Sequence, residues 1–267
     1  MAGSAGLLTV ILLGGLSIEP PESRLTLKPG YQATRFLPVR EATQAAAADL
    51  KSVYAISNTT IVRVDRLTGA ELARATAPDL RHLNSAVLHE GRVYCAHSNY
   101  PLQPEESDIR QYDPETNTLT LFHRFEQPPG SLTWCLPRDG VWWCCFARYG
   151  RENDQTVLIR YEADWKETGR WTFPKEVVED WDGMSASGAV FDGATLLVSH
   201  HHFQVLYRLA IPDQPGTLRF IEALASPFPG QGIAVDPVGG GLVGIDRPTH
   251  RVLFAQPIAS EANPESR

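Results

Sequence analysis

The sequence predicts an all-β fold made by radial repetition of one strand pair, and three observations carry that prediction. One pattern recurs five times: a turn, a short apolar strand, then a second strand that ends in polar residues. The second strands and their endings read 53–58, 93–100, 141–149, 196–200 and 242–247, each after a shorter run such as 84–88 or 231–235. The last repeat stops one strand short, while a strand-like segment, Tyr31 to Phe36, stands unassigned ahead of the first repeat. Finally, 43% hydrophobic residues with 21 Gly and 20 Pro in 267 residues suit a single all-β domain. Repeats of this length cannot bury their apolar faces alone and stack around an axis. The expectation is a five-bladed β-propeller, with six blades as the competing count.

In chain order, residues 24–43 form a lead-in that carries the Tyr31–Phe36 strand. Blade one covers about 44–78, with Thr60–Asp65 as third strand, Arg66–Gly69 as hairpin turn and Glu71–Arg74 as outer strand. Blade two spans about 82–126, with its matching turn at Asp113–Asn117, and blade three about 130–174, with Thr156–Tyr161 as third strand. Blade four spans about 185–226 and blade five about 230–257. Lys175–Trp181 reads as a short helical turn or a loop over the mouth. The truncated fifth blade predicts that the amino-terminal strand supplies its missing outer strand, so that no edge stays unpaired.

Residues 1–23 read as a leader: Leu7–Leu13 is apolar but too short to span a bilayer, and the Pro-rich Glu19–Glu22 follows at once. This predicts a secreted or periplasmic protein without a membrane span, although no Lys or Arg precedes the apolar stretch. Residues 24–257 form the propeller and 258–267 a disordered tail. The net charge is −7 and no Lys/Arg cluster occurs, so nucleic acid is not an expected partner. The expected partner is a small molecule or an oligosaccharide, bound by a monomer. The four cysteines form no zinc-type pair; Cys144 and Cys145 point to opposite strand faces, so at most one of them meets Cys135, and buried free thiols are expected.

In a propeller, first-strand starts and second-strand ends converge on one mouth of the central channel. The starts carry Thr43-Gln44, His82–Ser85, Ser131–Trp134, Ser185–Ser187 and Gly230-Gln231; the ends carry Asn58, His97, Asn99, Tyr100, Arg148, Tyr149, His200, His201, Asp246 and Arg247. Three constellations follow. His82, His97 and His200 with Gln231 have the donor chemistry for a divalent metal. Adjacent strand-end residues alternate in direction, which disfavours His201 and His202. Tyr100, Arg148, Tyr149, Asp246 and Arg247 offer acid–base groups and carboxylate clamps. Among the tryptophans, Trp134 is the expected ligand platform. Asn84, Asn99 and Ser187 complete the binding set, and His97, His200, Tyr149 and Arg148 are the expected catalytic residues. Asp246 is the sole carboxylate at a second-strand end, which disfavours a two-carboxylate glycosidase.

At His82–Ser85, Cys95–Pro101 and Gly130–Trp134 the chain resembles a group of mostly secreted propeller proteins labelled "cycloisomerase". Trp142-Trp143, Phe146–Tyr149, Ser185–Gly188, His200 and Gly230–Ala234 extend the resemblance over most of residues 44–255. One departure stands out: the group tends to have Gly-His-Asp where this chain has Ser199-His200-His201. If that Asp is catalytic there, its place is not filled here. In fold alone the chain is also similar to propeller-type glutaminyl cyclotransferase. By analogy with propeller lyases of uronate oligosaccharides, a His/Gln-held metal would acidify the carbon beside a carboxylate. These readings favour elimination or isomerisation of a sugar acid. A cyclotransferase and a non-catalytic binding propeller are the alternatives.

Overall fold

A computed structural model describes residues 22–259, and these form five antiparallel blades around a channel. Blade I is Ala45–Ala48, Ser52–Ile56, Thr60–Asp65 and Glu71–Thr76; blade II is His82–His89, Arg92–Ser98, Ser107–Asp113 and Thr118–Phe125. Blade III is Ser131–Arg138, Val141–Ala147, Val157–Tyr161 and Glu167–Thr172; blade IV is Gly188–Asp192, Thr195–Ser199, Val205–Ala210 and Arg219–Ala225. Blade V has only Ala234–Val235, Leu242–Asp246 and Arg251–Pro257 from its own repeat.

The amino-terminal strand closes the ring as expected. Tyr31–Pro38 pairs antiparallel with Arg251–Pro257, from Tyr31 opposite Pro257 to Pro38 opposite Arg251. Two short additions were not foreseen: Gly216–Thr217 lies parallel on the outer strand of blade III, and Leu27–Lys28 on that of blade IV. Lys175–Asp180 is a one-turn-plus helix linking blades III and IV. The leader expected over 1–23 and the tail over 258–267 lie almost wholly outside the described residues. Within them, no helix is long and apolar enough to cross a membrane.

The channel is narrow because small residues line it. All four residues of Ala45–Ala48 are buried, and a Cβ on Gly232 would stand 2.6 Å from Ala45 Cβ and 2.9 Å from Ser85 Cα. Larger hydrophobes fill the seams between blades, where Trp134, Trp171, Trp181 and Tyr207 share one cluster. Cys135 and Cys144 oppose each other across two strands, and Cys145 faces the other seam, as alternation requires. All four thiols are free, and burial pushes each of them up.

Candidate functional site

Each inner strand begins at one mouth of the channel, called here the upper mouth, and local backbone irregularities aim side chains into it. In blade II the pairing register slips between Leu83 and Ala86, so Asn84 and Ser85 form a bulge and turn toward the axis. Gln231 sits in left-handed backbone at φ 72°, sparsely populated by a residue with a side chain. Three contacts hold it there: its N–H donates to His200 O at 3.0 Å, its carbonyl accepts from Ser199 Oγ at 2.6 Å, and Nε2 donates to His201 O at 2.9 Å.

The result is a cavity of about 220 Å³ lined by Gln44, His82, Asn84, Ser85, Tyr100, Tyr149, Met184, Ser187, His201, Gln231 and Arg247. An aromatic arc runs along it: His82 and Tyr100 rings are 5.9 Å apart, Tyr100 and Tyr149 4.9 Å, Tyr149 and His201 6.5 Å. No carboxylate lines the cavity among the described residues. Arg247 is exposed on the rim and makes no ion pair among them.

The electrostatics follow from burial beside a cation. Desolvation, then the Arg247 charge, lowers the His82 imidazole to about 4. Desolvation, with His202, His200 and Arg247, lowers His201 to about 3. Both rings are therefore neutral at pH 7. Burial, with Tyr100 beside it, pushes the Tyr149 phenol well above its ordinary value, so it stays protonated.

Of the expected site residues, His82, Asn84, Tyr100, Tyr149, Ser187, Gln231 and Arg247 converge here. The others do not. His97 is buried, with Nε2 accepting the Arg81 N–H at 2.9 Å and Nδ1 facing Asp108 at 3.0 Å. Arg110 in turn clamps Asp108 and Asp79. Burial alone would raise Asp108, yet its bonds to His97 and Arg110 outweigh that and hold it low. His200 is fully buried, its Nδ1 accepting from the His202 and Phe203 amides at 2.9 and 2.8 Å and its Nε2 facing Trp181 O at 3.2 Å.

Both rings have spent their lone pairs on the protein, so the expected metal set of His82, His97, His200 and Gln231 is not assembled. Among the described residues, no cluster of three His, Cys, Asp or Glu is placed to hold a metal. Arg148 is spent between Pro129 O at 2.6 Å and Glu105 at 3.4 Å. Asn99 braces its own loop through Pro104 O and the Glu106 amide. Asp246 accepts from Thr249 in its turn rather than pairing with Arg247.

Trp134 is the plainest correction. A register slip between Leu132 and Trp134 turns the indole into the seam between blades III and IV, fully buried. His201 is the opposite case. Alternation set it aside, but the strand ends at Ser199, and beyond that point alternation has no hold. Gln44 and Ser85 sat among the polar strand starts without being chosen, and Met184 carried no signal in sequence.

No family model and no curated protein matches this chain. Among solved structures it is similar to the glutaminyl cyclase of Myxococcus xanthus, with TM-score 0.60 and 9% identity over 87% of this chain and 100% of that one. A chain of the mitotic checkpoint complex overlaps at TM-score 0.45 and 9% identity, over 80% of this chain and 63% of that one, too low to carry an argument. The class is therefore a five-bladed propeller, with fold-level likeness to a glutaminyl cyclase. Fold does not fix function, so the chemistry has to come from the cavity.

Proposed function

We propose that the upper mouth is the active site of an enzyme that moves a proton on a small carbohydrate acid, by elimination or isomerisation. One observation carries this reading: a free guanidinium, two neutral imidazoles and a protonated tyrosine surround a cavity without a carboxylate of its own. Arg247 grips the ligand carboxylate with parallel hydrogen bonds. That pairing draws electron density from the carbon beside the carboxylate. His201 or His82, each a neutral imidazole at pH 7, accepts the proton from that carbon, and Tyr149 donates to the oxygen that gains charge or leaves.

Size narrows the ligand. A cavity of about 220 Å³ falls below the ~300–1,000 Å³ of sites for drug-sized molecules. It suits a single sugar ring rather than the oligosaccharide of the sequence-based expectation. The absence of a lining carboxylate pair among the described residues speaks against two-carboxylate hydrolysis.

The test is solvent-deuterium incorporation. The full chain is incubated in D2O with D-glucuronate, D-galacturonate and D-mannuronate and followed by NMR. Deuterium at the carbon beside the carboxylate, or an unsaturated or isomerised product, is expected, and is lost in Arg247→Met. The runner-up is a cyclotransferase, which the fold likeness favours. It is assayed with a peptide bearing amino-terminal glutamine. Cyclisation of that peptide, with no exchange into any uronate, would replace the proposal.

A further inference from the structure

The cavity floor holds three amide side chains, and each donates from its NH2 group to the protein. Gln44 Nε2 donates to Asn58 Oδ1 at 2.6 Å, Asn84 Nδ2 to Leu132 O at 2.8 Å, and Gln231 Nε2 to His201 O at 2.9 Å. The backbone-carbonyl partners of Asn84 and Gln231 fix which end of each amide faces the protein, because a carbonyl oxygen cannot take the place of the donor against another oxygen; Gln44 holds the same orientation toward the Asn58 oxygen. All three residues are nine-tenths or more buried and line the same cavity. None of their oxygens is both sealed from solvent and left without a partner, and all three side chains border the cavity. Asn84 Nδ2 also lies 3.4 Å from the His82 carbonyl oxygen and from Ser98 Oγ.

We infer that this locked floor is an acceptor surface that selects ligands by their hydroxyl groups. Gln44, Asn84 and Gln231 are its specificity-determining residues, of which Gln44 had no assigned role. The alternative donor, a ligand ammonium, would sit here without a counter-charge, since no carboxylate lines the cavity among the described residues. Burying such a cation on neutral dipoles is costly, whereas neutral hydroxyls fit them. The floor thus reads hydroxyls while the rim reads a carboxylate, and the ligand is a polyhydroxy acid rather than an amino acid. The left-handed Gln231 fits the same logic, because its strained backbone aims the amide where an unstrained strand start would not.

This inference rests on the reading of the upper mouth as the binding site, and the experiment separates the two. Calorimetric titration of the full chain compares D-glucuronate, tetrahydropyran-2-carboxylate and pipecolate. The second has the ring and carboxylate without hydroxyls; the third adds a ring amine. The expected order is D-glucuronate tightest, with tetrahydropyran-2-carboxylate roughly 10- to 100-fold weaker for its missing hydrogen bonds and pipecolate no better. In Gln44→Met the gap between the first two narrows, with thermal unfolding run alongside to confirm a folded protein. Equal affinity of wild type for the first two acids, or tightest binding of pipecolate, overturns the acceptor floor alone. Binding of none of the three overturns the site reading and this inference together.

Discussion

At the upper mouth the five inner strands open at or just after Gln44, His82 to Ser85, Ser131, Ser187 and Gln231; toward the lower mouth Ala48, Leu88, Leu136-Pro137, Phe191 and Val235 sit at or just before the strand ends, with His89, Arg138 and Asp192 as the last residues of three of them. The lower mouth encloses about 290 Å³ lined by Ala, Val, Leu, Ile, Pro and Phe. The upper cavity, near 220 Å³, is lined by amides, hydroxyls, imidazoles and one guanidinium. Two openings of similar size on one axis thus have opposite chemistry. Burying polar groups without partners costs free energy, so a fold with no use for them would end its strands as the lower mouth does. The contrast teaches that the propeller does not by itself require a polar mouth, and the proposed ligand site would account for the upper one.

The comparison breaks first at the seal between the mouths. Gly232→Val should destabilise the protein by about 3 kcal/mol or more, because Ala45 and the Ser85 backbone leave no room for the added atoms. An unchanged thermal midpoint would mean the mouths are not separated by packed chain. Next come the histidines, which divide into structural and site members. His97→Ala and His200→Ala each leave buried amides without an acceptor and should cost roughly 2–4 kcal/mol in chemical denaturation. His82→Ala and His201→Ala should leave stability within about 1 kcal/mol yet lose deuterium exchange. The reverse pattern would return the chemistry to His97 and His200.

Acidification sharpens the same division. The folded-state values of His82, His200 and His201 lie below their ordinary 6.5, at about 4, 4 and 3. Between those limits the unfolded chain binds more protons than the folded one, so stability is intact above pH 6.5 and falls as pH drops toward 4. For fully buried His200 the loss is on the order of 3 kcal/mol, and His200→Phe should flatten the decline measured by thermal unfolding across pH. A midpoint independent of pH over this range would contradict the neutral burial of these rings. Smallest of all, Val235→Ser, at a residue 49% exposed on the lower rim, should shift stability by no more than ~0.5 kcal/mol and leave uronate affinity unchanged.

Much of this was legible in sequence because a propeller repeats. Five strand echoes pointed to five blades, and the missing fifth-blade strand pointed to Tyr31–Phe36 as its replacement, which the structure extends to Pro38. The convergence of strand starts and ends placed His82, Asn84, Tyr100, Tyr149, Ser187, Gln231 and Arg247 at one mouth. What escaped was direction. Strand alternation predicts where a side chain points only while the register holds, and it fails at the bulge before Trp134 and past the strand end at Ser199. Nor does sequence show which polar groups are already spent. His97 and His201 look alike as letters, yet Asp108 and the Arg81 amide occupy one while the other lines the cavity.

The most direct test of the account is a crystal structure of the full chain soaked with D-glucuronate. The predicted result is one sugar ring in the upper cavity, its carboxylate on Arg247 and a ring hydroxyl on the Gln231 amide oxygen, with the lower mouth unoccupied by sugar. An upper cavity holding only water at saturating glucuronate, or the sugar seated in the lower mouth, would contradict it.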